Sequence, residues 1–320
     1  ERLGYTKLLL TTGSSPRRLR VPGADLDGVH YLRTLPDSDR IAAALRASSR
    51  TVIVGAGWIG LEVAAAARIA DVAVTVLESA PLPLPVLGPE MAKVFADLHL
   101  EHGVDLRCEA ELVEIVGRDG RVAGVRLGDG TVVDADTVVV GVGITPNTGL
   151  AEAAGLVVDN GIVVDDHLRS SDPDIHAAGD VANLWHPALG RHLRVEHWAN
   201  ALNGGPAAAR AALAAPTDPG TAYDRLPYFF TDQYDLGMEY TGHAAPGEYD
   251  EVVVRGDLSA REFVAFWLAE GRVRAGMNVN VWDVTDPIAD LIRSGAPVDP
   301  ARLADPRVPL TDVRSDAAGG

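Results

Sequence analysis

Cysteine is almost missing from this chain: its 320 residues contain one, Cys108. A single thiol excludes an internal disulfide and any CxxC pair within these residues, and it suits a reducing compartment. In Leu106-Arg107-Cys108 it reads as a buried strand-end thiol rather than a redox group. Positive charge is scarce too. Lys and Arg number 28 against 45 Asp and Glu, and the net charge of −17 argues against nucleic acid as a partner, because a phosphate backbone would be repelled. No run approaches the ~18 uncharged apolar residues of a membrane span. Glu1-Arg2-Leu3 does not open a secretory signal, so the expectation is a cytoplasmic protein without a membrane partner. The histidines His176, His186, His192 and His197 follow no common metal-ligand spacing and have no cysteine near them, so no metal site is expected.

What is present is an ordinary globular balance, 47% hydrophobic and 23% charged, on a chain long enough for two or three domains. Its organising stretch runs from Thr51 to Glu78. The apolar run Thr51-Val52-Ile53-Val54 turns through Gly55, Gly57 and Gly60 into an Ala-rich helical segment, and a second apolar run from Val72 to Leu77 ends on Glu78. This is the pattern of a βαβ unit with its glycine turn between strand and helix. Gly55 allows the tight turn, Gly57 lets a pyrophosphate approach the backbone, and Gly60 lets helix and strand pack closely. The helix start offers free N–H groups to the phosphates. Glu78 stands where a carboxylate accepts hydrogen bonds from the adenosine ribose, and Ser79 follows where a reader of a 2′-phosphate would be Arg. The reading is NADH over NADPH.

Residues 5–16 read as a buried strand, a glycine turn and a proline, and Asp136 to Pro146 repeats the pattern with Gly143 in the place of Gly13. In the second copy a complete dinucleotide unit precedes that turn. The same offset applied to Gly13 would put a first glycine turn well upstream of residue 1, so the chain is expected to be truncated at its N-terminus. Val21 to Ser49 reads as a Pro/Gly-marked connector leading to a helix capped by Asp37 or Ser38. A Pro-rich loop from Pro81 precedes a helix from Pro89 to His102, and Asp119-Gly120 with Asp129-Gly130 signal a β-meander. Ile162 to Val181 is expected to give a strand pair ending in Ala177-Ala178-Gly179-Asp180. A helix then starts near Glu196, and Pro216 to Pro219 reads as a linker. Alternation over Arg272 to Val281 predicts a mainly antiparallel C-terminal domain with a helix at Pro287 to Ser294. Residues after about Arg314 are expected to be disordered.

Four motifs together, GAGWIGLE at Gly55 to Glu62, VGVGITPN at Val140 to Asn147, AAGD at Ala177 to Asp180 and VEHWANAL at Val195 to Leu202, resemble the FAD-dependent ferredoxin reductases. These are the putidaredoxin, rubredoxin and dioxygenase ferredoxin reductases of the pyridine nucleotide-disulfide oxidoreductase superfamily. The resemblance implies an α/β fold with two dinucleotide-binding domains, the first FAD βαβ missing, and an α+β C-terminal domain. Its expected divisions are 1–36 (remainder of the FAD domain and connector), 37–147 (NAD domain), 148–219 (return to the FAD domain), 220–313 (interface domain) and 314–320 (tail). It implies an enzyme, an NADH:ferredoxin oxidoreductase, that passes electrons from NADH through FAD to a small acidic ferredoxin or rubredoxin serving an oxygenase. Homodimerisation stays open.

On the residues that match, Thr12, Gly13 and Arg17 run along the FAD, Gly179 and Asp180 hold its ribityl and phosphate region, and Trp198 lies beside the flavin with Glu196 at the flavin edge. Glu62 lies near the nicotinamide, and Gly55, Gly57, Gly60, Glu78 and Gly143 belong to NAD. Glu62, Glu196 and Trp198 are thereby the catalytic candidates. Arg17, Arg18 and Arg20, with Arg191, His192 and Arg194, are the basic clusters available for an acidic partner. Because the pyrophosphate-binding turn for FAD is absent from these residues, weak flavin retention is expected. The alternatives are a non-catalytic NADH-binding or dimer-forming relative, a FAD-free fragment, and a disulfide reductase.

Overall fold

The computed structural model describes residues 3–214 and 220–315. The linker expected at Pro216 to Pro219 and the tail from 316 lie outside them. The sheet that carries the glycine turn has five parallel strands in the order Val29–Tyr31, Thr137–Val140, Arg50–Val54, Ala73–Leu77, Asp105–Arg107. Helices Leu35–Ala47, Trp58–Ile69 and Pro89–Glu101 supply its crossovers and cover. Val52, Ile53, Val74, Val76, Val138 and Val139 are all buried, which is why these strands read as unbroken apolar runs rather than alternation.

Two expectations change here. Val29–Tyr31, assigned above to the connector, is a strand of this sheet, paired with Thr137–Val140; three residues are too few to show a period. Helix Leu35–Ala47 is capped by Thr34 rather than by Asp37 or Ser38. Asp37 is the third helical residue, and its carboxylate accepts from the Thr34 N–H at 2.7 Å while Thr34 Oγ1 accepts from the Asp37 N–H, a reciprocal capping box.

The meander forms as Leu112–Arg118, Arg121–Leu127 and Val132–Asp134, all antiparallel. Asp119 (φ 52°) and Gly120 (φ 81°) are both left-handed, as a two-residue hairpin turn requires.

The strand pair expected over Ile162 to Val181 does not form. Ile175–Ala177 pairs in parallel with Leu8–Leu10, whereas Ile162–Val164 pairs with Ala182–His186, itself antiparallel to Arg191–Arg194. The stretch between the two strands is held by local turns, with Asp165 Oδ1 accepting from the His167 and Arg169 N–H groups, and these aim each strand at a distant partner. The internal repeat is structural: Ser14–Pro16 pairs antiparallel with Ile144–Pro146, so the two turns meet. Asn147 Nδ2 donates to Thr12 O at 2.8 Å and Thr12 Oγ1 donates to Asn147 O at 2.7 Å, tying the crossing together.

The C-terminal sheet is antiparallel, ordered Tyr228–Gln233, Leu236–Gly242, Arg272–Val279, Glu262–Ala269, Glu251–Asp257. One face receives Ile288 and Leu291 of helix Thr285–Ser294. The other shares a single core with the nucleotide unit, where Met238, Trp267 and Met277 pack with Leu61, Met91 and Phe95. Among the described residues, no helix is long and apolar enough to cross a membrane.

Candidate functional site

The three glycines of the turn do different work. Gly55 has φ 98°, and a Cβ there would lie 2.5 Å from Gly141 O. A Cβ on Gly60 would collide with Gly55 O. The fold itself demands both. Gly57 is different, since a Cβ there would meet nothing within 4 Å; the space it leaves is open. Gly57 also caps helix Trp58–Ile69 without any side-chain acceptor, so the first N–H groups of that helix remain available. Around the turn lies a cavity of about 560 Å³ lined by Gly55, Gly57, Glu78, Ser79, Glu109 and Glu111, with Gly143 also on its wall. Glu78 is tied to the turn: Oε2 accepts from the Ala56 N–H at 2.7 Å, and Oε1 accepts from the Ala80 N–H at 2.9 Å and from Ser79 Oγ at 3.2 Å.

Glu62 lies in the second turn of the same helix and faces the C-terminal sheet. Its Oε1 accepts from Thr231 Oγ1 at 2.6 Å. Burial pushes its carboxyl above the ordinary glutamate value, the Thr231 bond pulls it back, and Asp232 pushes it up again. The chain of bonds continues inward: Gln233 Nε2 donates to Thr231 Oγ1 at 3.2 Å, and His99 Nε2 lies 2.8 Å from Gln233 Oε1. With Oε1 as acceptor, His99 carries its proton on Nε2, which leaves Nδ1 to accept from Tyr234 Oη at 3.4 Å. Burial holds His99 below its ordinary pKa and therefore neutral.

The candidates for the second cofactor converge elsewhere. Asp180, in a single 3-10 turn that begins with Gly179 at φ 76°, accepts from Ser14 Oγ at 2.6 Å and pairs with Arg33 Nη2 at 3.2 Å. Arg33 Nη2 also lies 3.0 Å from where a Cβ of Gly13 would be, so Gly13 makes room for it. Sequence reading missed Ser14 and Arg33, because neither belongs to a motif of its own. Arg17 spends its backbone N–H on Gly143 O and its Nε on Ile144 O, both at 3.0 Å, which places it on the crossing of the repeats. Glu196 pairs with Arg194 at 2.6 Å, and the largely covered Arg194 reaches on to Asp180 O at 3.2 Å. A second cavity of about 180 Å³ is lined by Trp58, Glu196, His197, Phe229, Tyr240 and His243. The His197 Nδ1 is buried without a hydrogen-bond partner among the described residues, and burial holds the imidazole at a pKa of about 4. Trp198 is 70% exposed, so it is no core aromatic.

The two cavities share a wall. Pro85 lines the first, while Val86 and Leu87, the next residues of the same 3-10 turn, line the second. Of the basic clusters, Arg191 is paired with Glu248 and donates to His243 Nδ1, and Arg194 is paired with Glu196, so this cluster is internally committed. Arg18 stacks over Tyr31 at 4.1 Å from the ring centre, and Arg20 is exposed. Cys108 is half-buried, and burial followed by the charges of Glu78 and Glu109 raises its pKa. This is the opposite of an activated thiol.

The residues fit the two groups that the resemblance implies. The open cradle at Gly57, beside unspent helix N–H groups and a carboxylate at the next strand end, suits a dinucleotide. The aromatic-lined cavity with an orphaned buried imidazole nitrogen suits a flat ring system carrying polar edges. Residues 1–205 match the family model described as pyridine nucleotide-disulphide oxidoreductase, and residues 228–314 match the one described as reductase C-terminal. The chain is 39% identical to the 5,5′-dehydrodivanillate O-demethylase ferredoxin reductase subunit of a Sphingobium species, over 97% of this chain and 74% of that protein. It is 38% identical to putidaredoxin reductase of Pseudomonas putida, over 97% of this chain and 74% of the relative. Its structure is similar to that of the ferredoxin reductase for the CYP199A2 system of Rhodopseudomonas palustris, with a TM-score of 0.90 and 35% identity over 97% of this chain and 76% of the other. It is also similar to the covalent putidaredoxin reductase–putidaredoxin complex, with a TM-score of 0.89 and 38% identity over 97% and 75%. The chain belongs to the pyridine nucleotide-disulphide oxidoreductase family, in its ferredoxin reductase branch with a reductase C-terminal domain, whose members are oxidoreductases that use FAD and NAD.

Proposed function

We propose that this chain takes electrons from NADH and delivers them, through FAD, to a small ferredoxin-type iron–sulfur protein that serves an oxygenase. The observation that carries the reading is the shared wall: a nucleotide cleft and an aromatic cavity meet at the one turn Pro85–Leu87. Two cofactors held on either side of such a wall can bring their reactive rings together with little water between them. When bound, FAD supplies the conversion of a two-electron hydride donor into a one-electron source.

The protein supplies position. Gly57 and the helix start receive the coenzyme pyrophosphate, and Glu78 accepts from the adenosine ribose. Gly143 bounds the cleft beside Arg17. Arg33 and Ser14 fix Asp180 toward the flavin's ribityl region, Gly13 and Gly179 admit the backbone turns around it, and Thr12 braces the crossing behind. His197 stays neutral at working pH, which keeps its Nδ1 free to meet a polar edge. Glu196 is held by Arg194 at the rim, and the exposed Trp198 beside it faces outward, where a partner's redox centre would come closest. Glu62 orients the nicotinamide side rather than moving a proton, because hydride transfer needs no general acid. Arg18 and Arg20 remain as the exposed cations for an acidic partner.

Gly57→Val tests the reading on the FAD-loaded enzyme. A side chain there has no protein neighbour, so thermal stability is expected within a few degrees of the parent, while NAD⁺ affinity by calorimetry and NADH-driven reduction of a ferredoxin both fall about 100-fold or more. Near-normal affinity in a folded variant would remove the pyrophosphate from this turn and the coenzyme from this cleft.

A further inference from the structure

The coenzyme cleft is edged by carboxylates from separate segments. Glu78 closes the strand Ala73–Leu77, and Glu109 and Glu111 follow the strand Asp105–Arg107. The rest of the lining is glycine and apolar residues with Pro85 and Ser79; among the described residues no lysine or arginine lines its wall. Of the cations nearby, Arg107 is paired with Asp105 at 2.8 Å, and Arg17, beside Gly143, spends its Nε on Ile144 O at 3.0 Å.

The backbone fixes this arrangement. Glu109 is left-handed (φ 55°), and its N–H donates to Ala80 O at 3.1 Å; the Ala110 N–H donates to Glu78 O at 2.9 Å. The segment bearing Glu109 is thus laced to the turn bearing Glu78 and Ser79. Glu111 Oε2 lies over Gly128, at 3.1 Å from where its Cβ would be. Cys108, next to Glu109 in the chain, feels the charges of both Glu78 and Glu109. Glu78 itself already accepts from Ala56, Ser79 and Ala80, which ties its orientation to the protein.

We propose that Glu109 and Glu111 determine coenzyme choice alongside Glu78, by surrounding the adenosine end of the cleft with negative charge that rejects a 2′-phosphate. This rests on the coenzyme reading of the cleft given above. A 2′-phosphate brings close to two negative charges. Against one carboxylate on the order of 8 Å away in screened water, the repulsion is worth about twofold in affinity. Two such carboxylates together are worth about fourfold. Replacing Glu78 alone would therefore leave much of the discrimination in place.

The test uses ADP-ribose and its 2′-phosphorylated form, which bind without redox chemistry, titrated by calorimetry into the FAD-loaded enzyme. The readout is the ratio of the two affinities. In Glu109→Gln and in Glu111→Gln that ratio is expected to move about twofold toward the phosphorylated ligand, in the double variant about fourfold, and the shift is expected to shrink at high salt. A ratio unchanged in the double variant, with Glu78→Gln alone moving it, would overturn the proposal and leave the coenzyme reading standing. Failure of ADP-ribose to bind the parent enzyme would overturn both.

Discussion

Glu62 carries its charge at a cost. Its carboxyl is partly buried, it receives one neutral donor from Thr231, and Asp232 adds repulsion. A carboxyl whose folded pKa is raised binds more protons in the folded than in the unfolded state as pH climbs through the window between the two values. Stability is therefore lost across that window and stays lost above it. Glu62→Gln keeps an oxygen for Thr231 and removes the charge. It is expected to stabilise the protein by about 1 kcal/mol at pH 7.5, as removal of an unfavourable group commonly does, and by nothing below the unfolded glutamate pKa. Chemical denaturation at the two pH values checks this. A variant less stable at pH 7.5 would mean that the charge is supported by groups other than Thr231. The same variant is expected to weaken NAD⁺ binding, since a residue kept at a cost to stability is one that function retains.

At the scale of elements, one short turn joins three structures. Pro85–Leu87 is bounded by the left-handed Leu84 (φ 47°) and Gly88 (φ 79°), and its Leu87 carbonyl accepts from Trp267 Nε1 at 3.1 Å. Trp267 lies on the strand Glu262–Ala269 of the C-terminal sheet and is fully buried. Trp267→Phe would leave a buried carbonyl unsatisfied and a small void, a loss of about 2–4 kcal/mol. Because the turn walls both cavities, the Michaelis constant for NADH should rise with it. A destabilisation without any change in coenzyme affinity would separate the turn from the site. This contact also shows what could be read in the sequence. The glycine turn, the meander and the antiparallel C-terminal sheet were legible because each is written in a local period or a turn dipeptide. Trp267 to Leu87 spans 180 residues and Thr231 to Glu62 spans 169, and nothing local encodes either contact. Arg33 and Ser14 escaped for the same reason. Val29–Tyr31 escaped because a three-residue strand has no period.

Across the whole molecule the histidines bias the response to acid. Burial is the first cause that lowers the pKa of His30, His99, His176, His186, His197 and His243, which lie in the nucleotide unit, the cofactor-side sheets and the C-terminal domain. His167 alone among those shifted goes up: burial pulls it down, but the Gly220 carbonyl, the Asp166 bond and the charges of Asp166 and Asp165 together outweigh it. A histidine whose folded pKa is depressed stays neutral in the fold while the unfolded chain takes up a proton. Its contribution is complete above pH ~6.5 and is lost as pH falls toward the folded value. For His197, with a folded pKa of about 4, the loss by pH 5 is about 2 kcal/mol. His167 runs the other way: its contribution builds as pH falls from its raised value to ~6.5 and is constant below, so it does not offset the loss from the other six. Glu248, held at about 2 mainly by its bond from Arg191, adds a further loss only below the unfolded glutamate range. Stability is thus expected to fall in two stages, the first between pH 6.5 and 4 and owed to imidazoles, the second lower and owed to carboxylates. His197→Gln, neutral at every pH, is expected to flatten the first stage by about 2 kcal/mol at pH 5 and to leave the second untouched. Denaturant midpoints measured across the range decide it: a parent profile flat from pH 7.5 to 5, or a first stage that His197→Gln does not reduce, would place the buried imidazoles in contact with water or with donors that this structure does not give them.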